Sequence, residues 1–336
     1  MIKAFVFGKF MPFHKGHEAM INFAIAQCDF LTILICCSDK EQFPCAVRKT
    51  WIEQTFEKLK NIEVRTFSYS EDEFPNTSVS SGEISAIWAA VFKKQFPGYS
   101  ILVTSEPYGN FVASYMAIRH IEFDPCRSII PVSASLIKND LFSYWQFLPE
   151  SVKPYYVVKV VILGTESTGK TTLTKQLSQH YHCGFVSEAA REIIPNSNAF
   201  RYDDLHLVAK EHTGRIDAAV RGPSPLVIID TDIHTTKSYS KFIFGKELVE
   251  RSEIYNSNRA VLYLYLNNDV PHSQDGTRLN ETDRNLLDIS HREVLRENNI
   301  DFREITGNWN ERFEKAVKHI DKLITVNRPG DAFINR

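Results

Sequence analysis

No run among the 336 residues approaches the roughly eighteen consecutive apolar positions that a bilayer-spanning helix needs, which argues against stable membrane insertion. Nor is there a basic excess. Lys and Arg total 39 against 41 Asp and Glu, a formal net charge of -2. Such a balance cannot neutralise a nucleic-acid backbone, so nucleic acid is not expected as a partner, and any phosphates the chain handles are few and locally gripped. Cysteine is scarce and unpatterned: Cys28, Cys36, Cys37, Cys45, Cys126 and Cys183 include no CxxC pair, lie in mostly apolar surroundings, and are expected to be buried free thiols. The opening MIKAFVFGKF lacks the long apolar segment of a cleaved leader, and a cytoplasmic protein is expected. No internal repeat or low-complexity tract is present. The composition, 43% hydrophobic and 24% charged, is that of a globular protein, and the length exceeds what one core organises, so two domains are expected.

Strand-like and helical patterns alternate from the start. A strand from Ile2 to Phe7, a helix from about Lys15 to Gln27 and an apolar strand from Leu31 to Cys37 give the βαβ rhythm of a parallel sheet. Helices around Val47 to Lys60 and Gly82 to Phe96, and a strand from Ile101 to Thr104, continue it. The Pro-bearing LPESVKPYY breaks the pattern, and VVKVVILG restarts it as a buried strand. We therefore expect two α/β, doubly wound parallel-sheet domains, over 1-150 and 155-327. In the second, strands are expected at 156-163, 184-187, 226-230 and 260-266, with helices at 170-181, 203-221 and 309-325 and a loose tail, NRPGDAFINR.

The segment Gly8-Lys9-Phe10-Met11-Pro12-Phe13-His14-Lys15-Gly16-His17 joins the first strand to the first helix. It presents a glycine-bearing turn and backbone N–H groups where an anion docks. His14 and His17, three apart, fall on one side of the first helical turn and can donate to phosphate oxygens, while Gly16 lets a ligand approach the backbone. A metal between the histidines is disfavoured, because no carboxylate or cysteine completes the set nearby. The string matches GxFxPxHxGH, the signature of a nucleotidyltransferase superfamily with a Rossmann-like fold that includes NMN and pantetheine-phosphate adenylyltransferases. That resemblance implies in-line attack of a substrate phosphate on the α-phosphorus of ATP, with Lys9 a further cation and Gly8, Phe10 and Gly16 shaping the nucleotide site. The superfamily's ISxTxxR has a degenerate counterpart in Val132-Ser133-Ala134-Ser135-Leu136-Ile137-Lys138, where Lys138 keeps the charge of the arginine without its fork. Read alone, the same segment is an ordinary strand-to-helix turn with Ser133 as a cap.

Gly164-Thr165-Glu166-Ser167-Thr168-Gly169-Lys170-Thr171 follows a buried strand and is a complete GxxxxGK[ST]. Its backbone N–H groups, with Gly164, Ser167, Thr168, Gly169 and the following Thr172, wrap phosphates; Lys170 reaches the β- and γ-phosphates; the Thr171 hydroxyl ligates Mg²⁺. ATP and Mg²⁺ are implied. Leu226 to Asp230 reads as a strand ending in Asp230-Thr231-Asp232, with Asp230 placed for the magnesium shell. Glu188, beside Arg191 after the strand 184-187, and Asp232 are rival general bases for a substrate hydroxyl. Arg278 and Arg284, flanking a polar segment after 260-266, are placed as lid arginines.

This order of sites resembles the bifunctional NadR family, nicotinamide-riboside kinase plus NMN adenylyltransferase, over essentially the whole chain. Thr104-Ser105-Glu106-Pro107, Phe142 to Pro149, Ile229 to Asp232 and Asp275-Gly276-Thr277-Arg278 also match it. The resemblance implies phosphorylation of nicotinamide riboside to NMN by the second domain and adenylylation of NMN to NAD by the first. His272 stands where relatives tend to carry a tryptophan able to stack on the nicotinamide ring. The first motif begins at Gly8, so the helix-turn-helix that some members carry ahead of it, and with it a repressor role, is not expected. Two rivals stay open: a fusion of pantetheine-phosphate adenylyltransferase with dephospho-coenzyme-A kinase, and a kinase whose first domain senses NAD without making it. Homo-oligomerisation is also open.

Overall fold

The computed structural model describes residues 1–72, 74, 82–194, 200–270 and 280–326. It separates into two compact units, Met1–Val152 and Lys153–Arg336. His272, the segment Asp275 to Arg278 and the terminal NRPGDAFINR lie outside the described residues.

The first unit runs β1 (Lys3–Gly8), α1 (Lys15–Ile25), β2 (Phe30–Ser38), α2 (Cys45–Thr55), β3 (Ile62–Tyr69), α3 (Gly82–Gln95), β4 (Ile101–Thr104), α4 (Tyr108–Met116), β5 (Arg119–Glu122), α5 (Ala134–Asn139) and α6 (Leu141–Tyr144). Its five strands pair in parallel in the order β3-β2-β1-β4-β5. Strand order reverses between β1 and β4, and in a sheet of this kind the crevice beyond the strand ends at such a reversal binds ligands. The residues LTILICC within β2 are all buried, as expected of a strand covered on both faces. Against one face Phe5 stacks on Phe96, ring centroids 4.3 Å apart, with Phe92 edge-on at 5.7 Å. Each such ring contributes about 1.5–3 kcal/mol by leaving water.

The second unit runs β6 (Val158–Leu163), α7 (Lys170–Tyr181), β7 (Gly184–Val186), α8 (Ala190–Ile193), α9 (Tyr202–Ala219), β8 (Leu226–Asp230), α10 (Ile233–Phe244), α11 (Ser252–Asn258), β9 (Leu262–Leu266), α12 (Glu281–Glu297), β10 (Arg303–Ile305) and α13 (Trp309–Val326). Its sheet is also parallel, in the order β10-β9-β6-β8-β7. All six residues of β6 are buried, so the loop that follows starts from the fully covered centre of the sheet.

Two departures from the sequence reading have physical causes. The sequence carries no clear helical signal for α12, because its buried face mixes Leu287, Val294 and Leu295 with Arg284, Asp288 and His291, which blurs the apolar period. The cysteines are not uniformly buried free thiols. The end of β2 and the start of α2 bring Cys37 and Cys45 into a disulfide with Cα atoms 5.7 Å apart. Cys36 is buried and free, and Cys126 is exposed.

Candidate active sites

In the first unit the chain leaves β1 through Phe10, in left-handed backbone at φ 49°, and a cis Met11-Pro12 bond. His14 is the N-cap of α1, and its Nδ1 accepts from the His17 N–H at 3.3 Å. This fixes the tautomer: neutral His14 carries its proton on Nε2, which is left to donate to a ligand. The two imidazoles stack at 3.7 Å and 20°. Gly16 makes room for them, since a Cβ there would lie 3.1 Å from the His14 ring and 3.3 Å from Val132. Burial, reinforced by the Arg127 cation, pushes His14 down to about 3. Burial, with the neighbouring His14 and Arg127, likewise holds His17 well below its ordinary value. Both are neutral donors at neutral pH.

A cavity of about 220 Å³ opens beside them, lined by His14, Gly16, His17, Ser105, Glu106 and Arg127, and by Ser133 to Ser135 at the start of α5. The structure thus joins HxGH, the segment after β4 and the ISxTxxR counterpart. Ser133 caps α5, accepting from Leu136 N–H at 3.2 Å. Gly8, Lys9, Phe10 and Lys138 are not among the lining residues. Phe10 is buried in the core, its ring over Gly8. Lys9 is paired with Glu41 and Glu71, each at 3.2 Å. Lys138 is half-buried, and burial, with Lys9 beside it, lowers its ammonium.

Three basic and acidic residues that carry no motif turn out to shape this site. Arg127 donates to Glu106 at 2.8 Å and is the cation of the cavity wall. Asp124 holds the turn that presents it, accepting from the N–H groups of Ser128, Ile129 and Ile130. Arg48, 1% exposed on α2, donates to the carbonyls of Lys9 and Cys36 and pairs with Glu41 at 2.5 Å, tying the motif loop to β2 and α2.

In the second unit Gly164 to Lys170 forms a closed cradle. Thr168 Oγ1 and Lys170 Nζ both donate to the Thr165 carbonyl, at 2.8 and 3.0 Å. Gly164 and Gly169 sit at φ 136° and 87°, and a Cβ would strike the Leu266 carbonyl or the Trp309 ring. Ser167 is itself left-handed at φ 62°. Thr171, the second residue of α7, donates to Asp230 Oδ2 at 2.5 Å, whereas Thr172 is exposed. Asp230 Oδ1 is buried with no hydrogen-bond partner among the described residues. Burial, with Glu188 nearby, raises the Asp230 carboxyl to about 6.

A cavity of about 280 Å³ adjoins the cradle. Its polar lining includes Ser167, Lys170, Glu188, Arg191 and Asp232, its apolar lining Ile194, Phe200, Leu205 and Val208. Glu188 is held through Oε2 by Arg191 Nε at 3.1 Å. Asp232 caps α10: its Oδ1 accepts from the N–H groups of His234 and Thr235, and its Oδ2 meets His234 Nδ1 at 2.5 Å. Arg284, placed in the sequence as a lid arginine, is a buried residue in the structure. It lies on α12, 2% exposed, with Nε and Nη2 lacking partners among the described residues, and burial lowers it. Arg278 is outside the described residues.

Arg312 on α13 holds the cradle from outside. It is 1% exposed, donates to the carbonyls of Thr168, Gly307 and Asn267 at 2.7, 2.8 and 2.8 Å, and pairs with Asp269. Removing it leaves buried carbonyls and a carboxylate without their donor. Arg312→Leu is expected to lower the stability of this unit by about 3–5 kcal/mol. Urea unfolding of the full chain measures this, and a loss below about 1 kcal/mol would contradict the assigned role.

Comparison with known proteins agrees with this architecture. A family profile described as "AAA domain" matches residues 159–312, and one described as "Citrate lyase ligase C-terminal domain" matches residues 3–97. The trifunctional NAD biosynthesis/regulator protein NadR of Salmonella typhimurium is 30% identical over 341 residues, covering 95% of this chain and 82% of that protein. The protein of the same name from Escherichia coli is 29% identical, covering 96% and 83%. Among solved structures, NadR protein in complex with NR superposes with a TM-score of 0.69 over 95% of both chains at 17% identity. NadR protein in complex with NAD and AMP-PNP gives 0.69 over 96% of both at 18%. At that identity the superpositions speak for the fold, while the sequence match over nearly the whole length speaks for descent: the chain belongs to the NadR family.

Proposed function

We propose that the chain makes NAD in two ATP-consuming steps, with nicotinamide riboside phosphorylated to NMN in the second unit and NMN adenylylated to NAD, with release of pyrophosphate, in the first. The observation that carries this is the acceptor cavity of the second unit, where an apolar wall of Ile194, Phe200, Leu205 and Val208 meets the P-loop lysine and the carboxylates of Glu166, Glu188 and Asp232. The relatives named for NAD biosynthesis support it. A cytoplasmic location suits such chemistry, and no helix among the described residues is long and apolar enough to cross a membrane.

In the second unit the cradle N–H groups and Lys170 hold the β- and γ-phosphates of ATP. Mg²⁺ fits beside them. The Thr171 hydroxyl and Asp230, whose Oδ1 is buried without a partner among the described residues, supply hard oxygen donors. Bound there, the ion would neutralise charge developing on the transferring phosphoryl group. Of the rival bases we assign Glu188. Asp232 spends both oxygens on its own helix and on His234, whereas Glu188 keeps Oε1 clear of described partners and can accept the proton of the riboside 5′-hydroxyl. Glu188→Gln should lower kcat about 10²–10⁴-fold. Asp232→Asn, which keeps a good N-cap, should cost less than about tenfold. Single-turnover phosphorylation distinguishes them, and the reverse order would move the base to Asp232.

In the first unit no covalent intermediate is needed. His14, His17 and Arg127 line one cavity, and as preorganised donors they would stabilise the charge that shifts between phosphates bound there. Full-length protein incubated with nicotinamide riboside, ATP and Mg²⁺ tests the whole scheme. The expected products are NMN, then NAD. NMN alone would make the first unit a binding module, and no product would redirect attention to coenzyme-A precursors.

A further inference from the structure

Between Asp230 and Asp232, Thr231 sits in left-handed backbone at φ 68°. A β-branched residue rarely adopts that conformation, and the surrounding structure must hold it there. Two elements do so. The Thr231 N–H donates to the Ile162 carbonyl on β6 at 3.0 Å, and the Thr231 carbonyl meets Nε2 of His212, on α9, at 3.1 Å. The Thr231 hydroxyl takes no part in this. Thr231 is 7% exposed and lines the acceptor cavity, and its Oγ1 is buried without a hydrogen-bond partner among the described residues.

His212 is left in the same condition. A carbonyl only accepts, so Nε2 carries the proton of that contact, and burial, which holds the imidazole below its ordinary value, keeps the ring neutral. Nδ1 is then a bare lone pair. It too is buried without a partner among the described residues, on a side chain that is 4% exposed and lines the same cavity. Buried polar atoms are rarely left unpaired, and two in one cavity wall call for a ligand that supplies the missing bonds.

Their chemistry defines the ligand group. His212 Nδ1 can only accept, whereas Thr231 Oγ1 can donate or accept; a carbonyl or carboxylate cannot satisfy the first, and a pair of hydroxyls satisfies both. Position decides which hydroxyls these are. Along α9 the lining runs from Leu205 and Val208, in the apolar wall, to His212, on which the Asp232 and Glu188 carboxylates act, and Thr231 adjoins Asp232 in the chain. The two atoms therefore belong to the sugar end of the cavity. With the 5′-hydroxyl assigned to Glu188, the secondary hydroxyls of the sugar remain.

We infer that His212 and Thr231 are specificity-determining residues that hydrogen-bond the 2′,3′-diol of the acceptor, so that the cavity selects a riboside over the corresponding deoxyriboside. This rests on the kinase assignment above. The test compares, in the full chain, kcat/KM for nicotinamide riboside and for its 2′-deoxy and 3′-deoxy forms. The wild type is expected to lose about tenfold to a hundredfold with at least one deoxy form, because the buried atoms are then left unpaired. His212→Gln keeps a nitrogen donor for the Thr231 carbonyl but has no acceptor in place of Nδ1, and Thr231→Val keeps the shape without the hydroxyl. In at least one of these variants the preference should shrink to within about threefold, through a raised KM for the riboside and not through kcat. A wild type that phosphorylates all three nucleosides equally overturns the inference and leaves the kinase assignment standing. Variants that keep the wild-type preference also overturn it, even where they slow all three nucleosides, since that is the mark of a merely structural role. If His212→Gln does not fold, Thr231→Val decides by the same ratio. Phosphorylation of none of the three would remove the kinase assignment itself, and the inference with it.

Discussion

Lys170→Ala is expected to lower phosphorylation of nicotinamide riboside by about 10²–10³-fold, the usual cost of losing one preorganised donor at a site of developing charge. Lys170 is largely buried at the start of α7, and its ammonium is fixed by the Thr165 carbonyl at 3.0 Å. Two other cations of this unit are committed elsewhere. Arg191 is largely exposed and held by Glu188, and the Arg312 guanidinium is spent on backbone carbonyls and Asp269. Lys170→Arg should rescue little, because a planar fork does not fit where a compact ammonium was enclosed. Adenylyl transfer from supplied NMN should be unchanged. Retention of more than a tenth of the kinase rate, or loss of both activities from a folded protein, would refute this division of labour.

His17→Ala is expected to do the reverse, lowering NAD formation from supplied NMN about 10²–10³-fold while NMN formation persists. The substitution removes a donor from the cavity and also the ring stacked on His14 at 3.7 Å, so the remaining imidazole loses its orientation. A second consequence separates the fold from the chemistry. His14 is pushed to about 3 by burial and Arg127, and His17 is lowered in the same direction. The unfolded chain therefore binds protons at these histidines below about 6.5 that the folded chain refuses. Stability of the first unit should be flat above that pH and fall as pH drops toward 3. Urea midpoints at pH 7.5, 5.5 and 4.5 measure the slope, which His17→Ala should reduce; an equal slope in both proteins would contradict the depressed values.

Local sequence carried the centres of both sites. The HxGH turn and the P-loop are contiguous strings whose glycines, caps and spacing set the backbone geometry, and each follows a strand that is recognisable because it is buried. Ser133 could be read as a cap from its own neighbours, and it is one. The walls of the sites were not legible in this way. Arg127 faces the histidines because β4, β5 and the Asp124 turn deliver it there, and Arg312 reaches the P-loop from 144 residues away. Such partners leave no local pattern, since any surface arginine looks the same in sequence.

What the sequence alone determined was structure set by short-range geometry: two α/β units and the backbone of two candidate phosphate-binding turns. Only the tertiary structure decided which charges the sites keep. It paired Lys9 with Glu41 and Glu71, set Lys138 apart from the histidine cavity, buried Arg284 on α12, and bound Asp232 to its own helix while leaving an oxygen of Glu188 clear. The reason is that an ion pair or a buried donor depends on which distant side chain arrives within about 3 Å. Chain topology and packing set that distance, and no neighbouring residue records it.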